Sequence, residues 1–147
     1  VRGIGEEITS LECPRSYQLL GVMPRMGAST RAVFSRFDMN QCGVFPDSGA
    51  AYEAILSGEI KELAERMGNS LEYVTASLCP EINLIKKELL KNGAAGAQMT
   101  GSGALVFGLF EDEQAVCSAA QALEKANLGR VYKFSTCLKG VELIYKH

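Results

Sequence analysis

The order of apolar patterns along the chain predicts an α+β fold, in which helices are segregated around several strands rather than alternating with them as regular βαβ units. Two observations carry this. Four helical patterns follow one another without an intervening strand, and the β-like runs are short and gathered on either side of that block.

The first run, YQLLGVM at residues 17–23, is short, mostly apolar and closed by Pro24, which reads as a buried strand entering a loop. Ser29 or Thr30 then offers an N-cap, and Ala32, Val33, Phe34 and Phe37 fall at spacings that suit a helix of two to three turns. The turn-rich stretch DMNQCGVFPDSG leads into the helical block. Asp47 or Ser48 caps AAYEAILS, and Gly58 ends it. In EIKELAERM, Ile60, Leu63, Ala64 and Met67 lie on one stripe, with Gly68 next. Asn69 and Glu72 have capping-box spacing ahead of EYVTASL. Pro80 suits the first turn of EINLIKKELLKN, where its missing N–H costs nothing, and Gly93 is the stop.

Beyond Gly93 the pattern changes. GAQMT and ALVFGLF are β-like runs around a glycine cluster, and EQAVCSAAQALEKA is a helix whose acidic start complements its macrodipole. RVYKFSTCL and VELIY alternate as strands do, with Lys139 and Gly140 between them.

Composition narrows the function classes. The 147 residues suit one domain, and 47% apolar with 22% charged residues is ordinary for a globular chain. A net charge of -2 gives no general footing on nucleic acid or an anionic membrane, so neither is expected as a partner, and a small molecule is. Cysteines at 13, 42, 79, 117 and 137 form no C-x-x-C pair, and the single histidine is His147, which argues against a disulfide framework and a zinc site. They read as small apolar fillers of a reduced, cytoplasmic protein, and no metal site is expected. No stretch reaches the ~18 uninterrupted apolar residues of a membrane span. The chain opens on VRGIGEEI, in what reads as the middle of an element, so a piece of a longer polypeptide is expected.

The cluster Thr100-Gly101-Ser102-Gly103 supports two readings. Glycine between apolar runs marks a turn or bulge, and neighbouring hydroxyls satisfy local backbone groups. Alternatively, glycines let backbone N–H groups converge on an anion while Thr100 and Ser102 add hydroxyl donors. Neither common nucleotide fingerprint is present.

Four blocks in order, GIGEEI, MPRMGASTRAVFSRFD, GNSLEYVTASLCPEI and LLKNGAAGAQMTGSGALVFGLFEDEQAV, resemble the C-terminal half of the 4-diphosphocytidyl-2-C-methyl-D-erythritol kinase family. That family belongs to the galactokinase, homoserine kinase, mevalonate kinase and phosphomevalonate kinase superfamily. The resemblance runs from Gly3 to about Phe134, and Thr100 to Phe110 reproduces a family motif of the form [ST]-G-[ST]-G before an apolar strand. It implies an antiparallel sheet with helices packed on it, a ferredoxin-like core with extra helices. It also implies that residues 1–147 are a C-terminal substrate-binding domain whose partner is its own N-terminal, ATP-binding domain.

In the resembled family, ATP phosphorylates the 2-hydroxyl of the cytidyl substrate in a cleft between two subdomains, a step of non-mevalonate isoprenoid biosynthesis. By that resemblance Gly101, Ser102 and Gly103 lie near the phosphates, Thr30 lies close to the catalytic centre, and Phe34 packs on the cytosine ring. Thr30 and Phe34 are four residues apart, so one helix face presents both. Arg25 and Arg31 read as solvated, and Asn69, Leu71 and Glu72 as a helix cap. The family's catalytic Lys, its P-x-A-A-G-L-G-G-G-S-S-D ATP loop and its base Asp match nothing in this chain. Hence no catalytic residue is assigned, Glu6, Glu7, Asp112 and Glu113 read as surface or helix-end charges, and ATP with magnesium is expected only in the intact enzyme. The alternatives are a homoserine- or mevalonate-type substrate, or a noncatalytic α+β module that binds a ligand or self-associates as a homodimer through an uncovered apolar cleft face.

Overall fold

A computed structural model of the chain describes residues 13–43 and 45–137. The described elements are β1 (Gln18–Pro24), α1 (Thr30–Arg36), α2 (Ser48–Ser57), α3 (Ile60–Arg66), α4 (Glu72–Leu78), α5 (Glu81–Lys91), β2 (Gly96–Met99), β3 (Val106–Phe110), α6 (Glu113–Ala126) and β4 (Gly129–Ser135). The strands form one sheet in the order β2-β3-β1-β4, and every neighbouring pair is antiparallel. That order is the split β-α-β-β-α-β arrangement, with four further helices in the first crossover.

Side-chain alternation on β1 sets the layers, because successive residues of a strand face opposite sides. Leu20 and Val22 are fully buried and register with Gly108 and Val106 of β3. With Phe110 they form the main core against Ile82, Ile85 and Leu89 of α5 and Val116, Ala119 and Leu123 of α6. The alternate residues Leu19 and Leu109 face the other way, where Ile60 and Leu63 of α3 pack with Tyr17. Helices thus cover both faces of the β2-β3-β1 part of the sheet. β4 is an edge strand whose Val131 joins the main core, while Tyr132 and Phe134 stack on each other at 6.1 Å and stay partly open.

The helix boundaries follow local chemistry. Ser29 caps α1 by accepting from the N–H of Ala32, Asp47 caps α2 through Gly49 and Ala50, and Asp112 caps α6 through Ala115. Gly58 ends α2 in the left-handed conformation. Pro24 is the last residue of β1 rather than the first of the loop: it registers with Gly129 of β4 beyond Val22, where the pairing of β1 with β3 ends, so a missing donor is tolerated. The expected strand VELIY and the turn at Lys139 and Gly140 lie outside the described residues, as do Glu6 and Glu7.

Since Leu20 is enclosed by three elements and Leu84 on α5 is 52% exposed, truncating them separates core from surface. Leu20→Ala should destabilise the chain by about 2 to 5 kcal/mol and Leu84→Ala by less than about 1 kcal/mol, read from urea midpoints.

Candidate functional site

Between β2 and β3 the chain reverses through residues 100–105. The N–H of Thr100 donates to the carbonyl of Leu105 at 2.9 Å, and that of Gly103 donates to the carbonyl of Thr100 at 2.8 Å. Gly101 and Gly103 have φ of +48° and +90°, values that side chains other than glycine rarely adopt. Gly101 has open space where a Cβ would stand, whereas a Cβ on Gly103 would lie 2.8 Å from both Met99 Sδ and Thr75 Cγ2. The cluster is therefore a hairpin turn whose inner side is pressed on α4.

Asn69, Thr75 and Glu72 make that contact. Asn69 Nδ2 donates to the carbonyls of Met99 and Gly101 at 2.9 and 2.8 Å, while its Oδ1 accepts from the N–H of Leu71. Thr75, fully buried, directs its hydroxyl to the carbonyl of Ser102 at 3.1 Å and to that of Leu71 at 3.3 Å. The capping box expected from Asn69 and Glu72 does not form. Glu72 instead turns its carboxylate to β2, accepting from the Gln98 side chain and, at 3.3 Å, from the N–H of Met99, and it pairs with Lys86. The buried edge of β2 needs a partner for its outward N–H more than the first helical turn, open to water, needs one. Asn69 keeps half of the predicted cap role and adds two bonds that local sequence did not signal.

On its outer side the hairpin meets α1. Thr30 Oγ1 lies 2.9 Å from Ser102 Oγ, so the structure brings these two predicted residues together. Tyr73 anchors α1 to α4: its hydroxyl accepts from the N–H of Asp38 at 2.6 Å and donates to the same residue's carbonyl at 2.9 Å, and its ring packs on Phe37. Phe34 follows Thr30 by one helical turn and is 59% exposed, so it is not a core residue. No described contact joins its ring to the hairpin. Arg31 is exposed, and Arg25 Nη2 donates to Asn127 Oδ1 at 2.6 Å, bracing the end of α6.

Two cavities of about 510 Å³ each flank this assembly. Thr100 and Gly101 line one, with Asp47, Arg66 and Phe107; Glu72, Tyr73 and Lys86 line the other, and Asn69 and Gln98 are shared walls. Among the described residues no group of His, Cys, Asp and Glu is placed to hold a metal ion, and no helix is long and apolar enough to cross a membrane.

Solved structures that share this fold are small-molecule kinases. The crystal structure of a 4-(cytidine 5'-diphospho)-2C-methyl-D-erythritol kinase superposes with a TM-score of 0.74 at 28% identity, over 92% of this chain and 48% of that one. L. major mevalonate kinase, in complex with R-mevalonate, gives 0.70 at 18% identity over 89% and 45%, a likeness of fold alone. The family model described as GHMP kinases C terminal matches residues 51–128, more than half of the chain, and the chain belongs to that family. Among its relatives are the 4-diphosphocytidyl-2-C-methyl-D-erythritol kinases of Lachnospira eligens, 38% identical over 91% of this chain and 47% of the relative, and of Acetivibrio thermocellus, 40% identical over 84% and 44%. The chain spans about half the length of the curated relatives it matches.

The two glycines should respond differently to a methyl group. Gly103→Ala combines strain with a clash against Thr75 and should cost at least about 2 kcal/mol, whereas Gly101→Ala meets only the left-handed penalty of about 1 kcal/mol, both read by denaturant unfolding. Cys79, at the end of α4, donates its thiol to the carbonyl of Met26, and burial together with the Glu81 carboxylate pushes its pKa up. The folded chain therefore holds this proton more tightly than the unfolded chain. Its stabilisation is complete below the unfolded thiol's value of about 8.5 and is lost as pH rises through the raised folded value. The unfolding midpoint should accordingly fall more steeply as pH rises above the unfolded thiol's value in the wild type than in Cys79→Ala, and parallel slopes would remove the thiol from this account.

Proposed function

We propose that this chain is the C-terminal, substrate-binding part of a cytoplasmic kinase that transfers the γ-phosphoryl of ATP to the 2-hydroxyl of 4-diphosphocytidyl-2-C-methyl-D-erythritol, in isoprenoid biosynthesis. The observation that carries the reading is the glycine hairpin of a GHMP kinase C-terminal domain standing 2.9 Å, hydroxyl to hydroxyl, from Thr30. The names of relatives between 35% and 40% identical support this substrate over the homoserine and mevalonate types, whose solved structures share the fold at 18% identity.

Phosphoryl transfer asks a protein mainly for positioning and for charge stabilisation by donors already in place. In this reading the backbone N–H groups of the hairpin and the hydroxyls of Thr30, Thr100 and Ser102 receive phosphate oxygens, and Phe34 offers its open face to the cytosine ring. In this reading the ion that accompanies ATP and the general base belong to the N-terminal domain, and the described residues hold no group of three or more His, Cys, Asp or Glu that could bind a metal ion by themselves. The hairpin's part is to hold the substrate's phosphates still while that domain brings ATP.

The test is ADP release by the full-length enzyme. Turnover should depend on 4-diphosphocytidyl-2-C-methyl-D-erythritol, and the isolated chain should show none. Turnover with homoserine or mevalonate but not with the cytidyl substrate would overturn the reading. Phe34→Ala in the full-length enzyme should weaken substrate binding by about 1 to 3 kcal/mol in isothermal titration. Unchanged affinity would take Phe34 out of the site.

A further inference from the structure

We infer that Asn69 and Thr75 are positioning residues that aim the hairpin's backbone donors, a role that rests on the kinase reading above. In a trans peptide the C=O of one residue and the N–H of the next point in opposite directions. The peptide bonds linking Thr100, Gly101 and Ser102 are both trans. Because the carbonyl of Gly101 is held by Asn69 Nδ2, the N–H of Ser102 is turned away from α4. Because the carbonyl of Thr100 accepts from Gly103 inside the turn, the N–H of Gly101 is turned out of it. Among the described residues neither of these N–H groups has a hydrogen-bond partner. Thr75 fixes the next carbonyl, that of Ser102, so the peptide groups on both sides of Ser102 are held from within.

The result is a loop whose Thr100, Gly101 and Ser102 carbonyls are consumed on its inner side and whose Gly101 and Ser102 N–H donors are left on its outer side. An anion approaching the loop needs that polarity, since one carbonyl rotated outward would face it with a like partial charge. The outer hydroxyls add to it. With Thr30 Oγ1 and Ser102 Oγ in mutual contact, one hydroxyl hydrogen is spent between them and the other stays available to a ligand. Asn69 does this from a position where a helix cap alone would need only its Oδ1.

Two substitutions in the full-length enzyme separate aiming from capping and packing. Asn69→Asp keeps the oxygen that caps Leu71 and removes the donor to Met99 and Gly101. Thr75→Val keeps the buried shape and removes the donor to Ser102, while Thr75→Ser keeps that donor and gives up a methyl group. At a temperature where circular dichroism shows every variant folded, Asn69→Asp and Thr75→Val should lower kcat at least about tenfold while KM for the nucleotide substrate changes less than about threefold, and Thr75→Ser should retain kcat. Values of kcat within about twofold of wild type in both donor-deleting variants would overturn the inference.

A wild-type enzyme without turnover would sink the kinase reading instead. The inference is then read separately from the amide resonances of Gly101 and Ser102 during titration with pyrophosphate. The resonances should move in the wild type and need at least about tenfold more pyrophosphate in the uncharged variant Thr75→Val. Equal titration curves would overturn it.

Discussion

Two hydrogen bonds from one amide nitrogen, Asn69 Nδ2 to the carbonyls of Met99 and Gly101, hold the end of an edge strand and the turn that follows it. Much of the local structure depends on them. An edge strand presents unpaired backbone groups, and β2, at four residues, is too short to keep its end ordered through β3 alone. Asn69, in the turn before α4, and Glu72, at the start of α4, give it a second row of partners. Glu72 also joins that row to α5 through Lys86, so strand, turn and two helices form one connected polar layer over an apolar core. In such a layer each group completes another's hydrogen bonding, and loss of one member leaves a buried partner unsatisfied.

The position of α4 is in turn set by its neighbours. Tyr73 ties it to the end of α1, Cys79 ties its end to the loop after β1, and Val74 and Thr75 are buried. Thr30 therefore reaches Ser102 not through any direct link between α1 and β2 but because both are mounted on α4. This explains how residues 72 positions apart in sequence come to share one hydroxyl contact. The sheet supplies the rigid base: β1 lies between β3 and β4, and its alternating side chains divide the helices between two faces.

The same fold serves kinases of different substrates, as the likeness to mevalonate kinase at 18% identity illustrates. A shared fold therefore does not by itself fix the reaction or the substrate, which depend on side chains grafted on it. Here those are few. Thr30 and Phe34 stand on one short helix, and the hairpin adds the hydroxyls of Thr100 and Ser102 to its backbone groups.

Local sequence determined the elements. Caps at Ser29, Asp47 and Asp112, the stop at Gly58 and the apolar stripes of α3, α5 and α6 are short-range features, and each lies where spacing and side-chain chemistry place it. It also marked the glycine cluster, though not what the cluster rests on. Tertiary structure alone decided the strand order, the pairing of Thr30 with Ser102, the exposure of Phe34 and the diversion of Glu72 from a capping box to the edge of β2. The reason is physical. A helix cap is a competition among groups within one turn of chain, whereas an edge strand's need for partners exists only after the sheet has assembled, and the stronger demand then captured the same side chain.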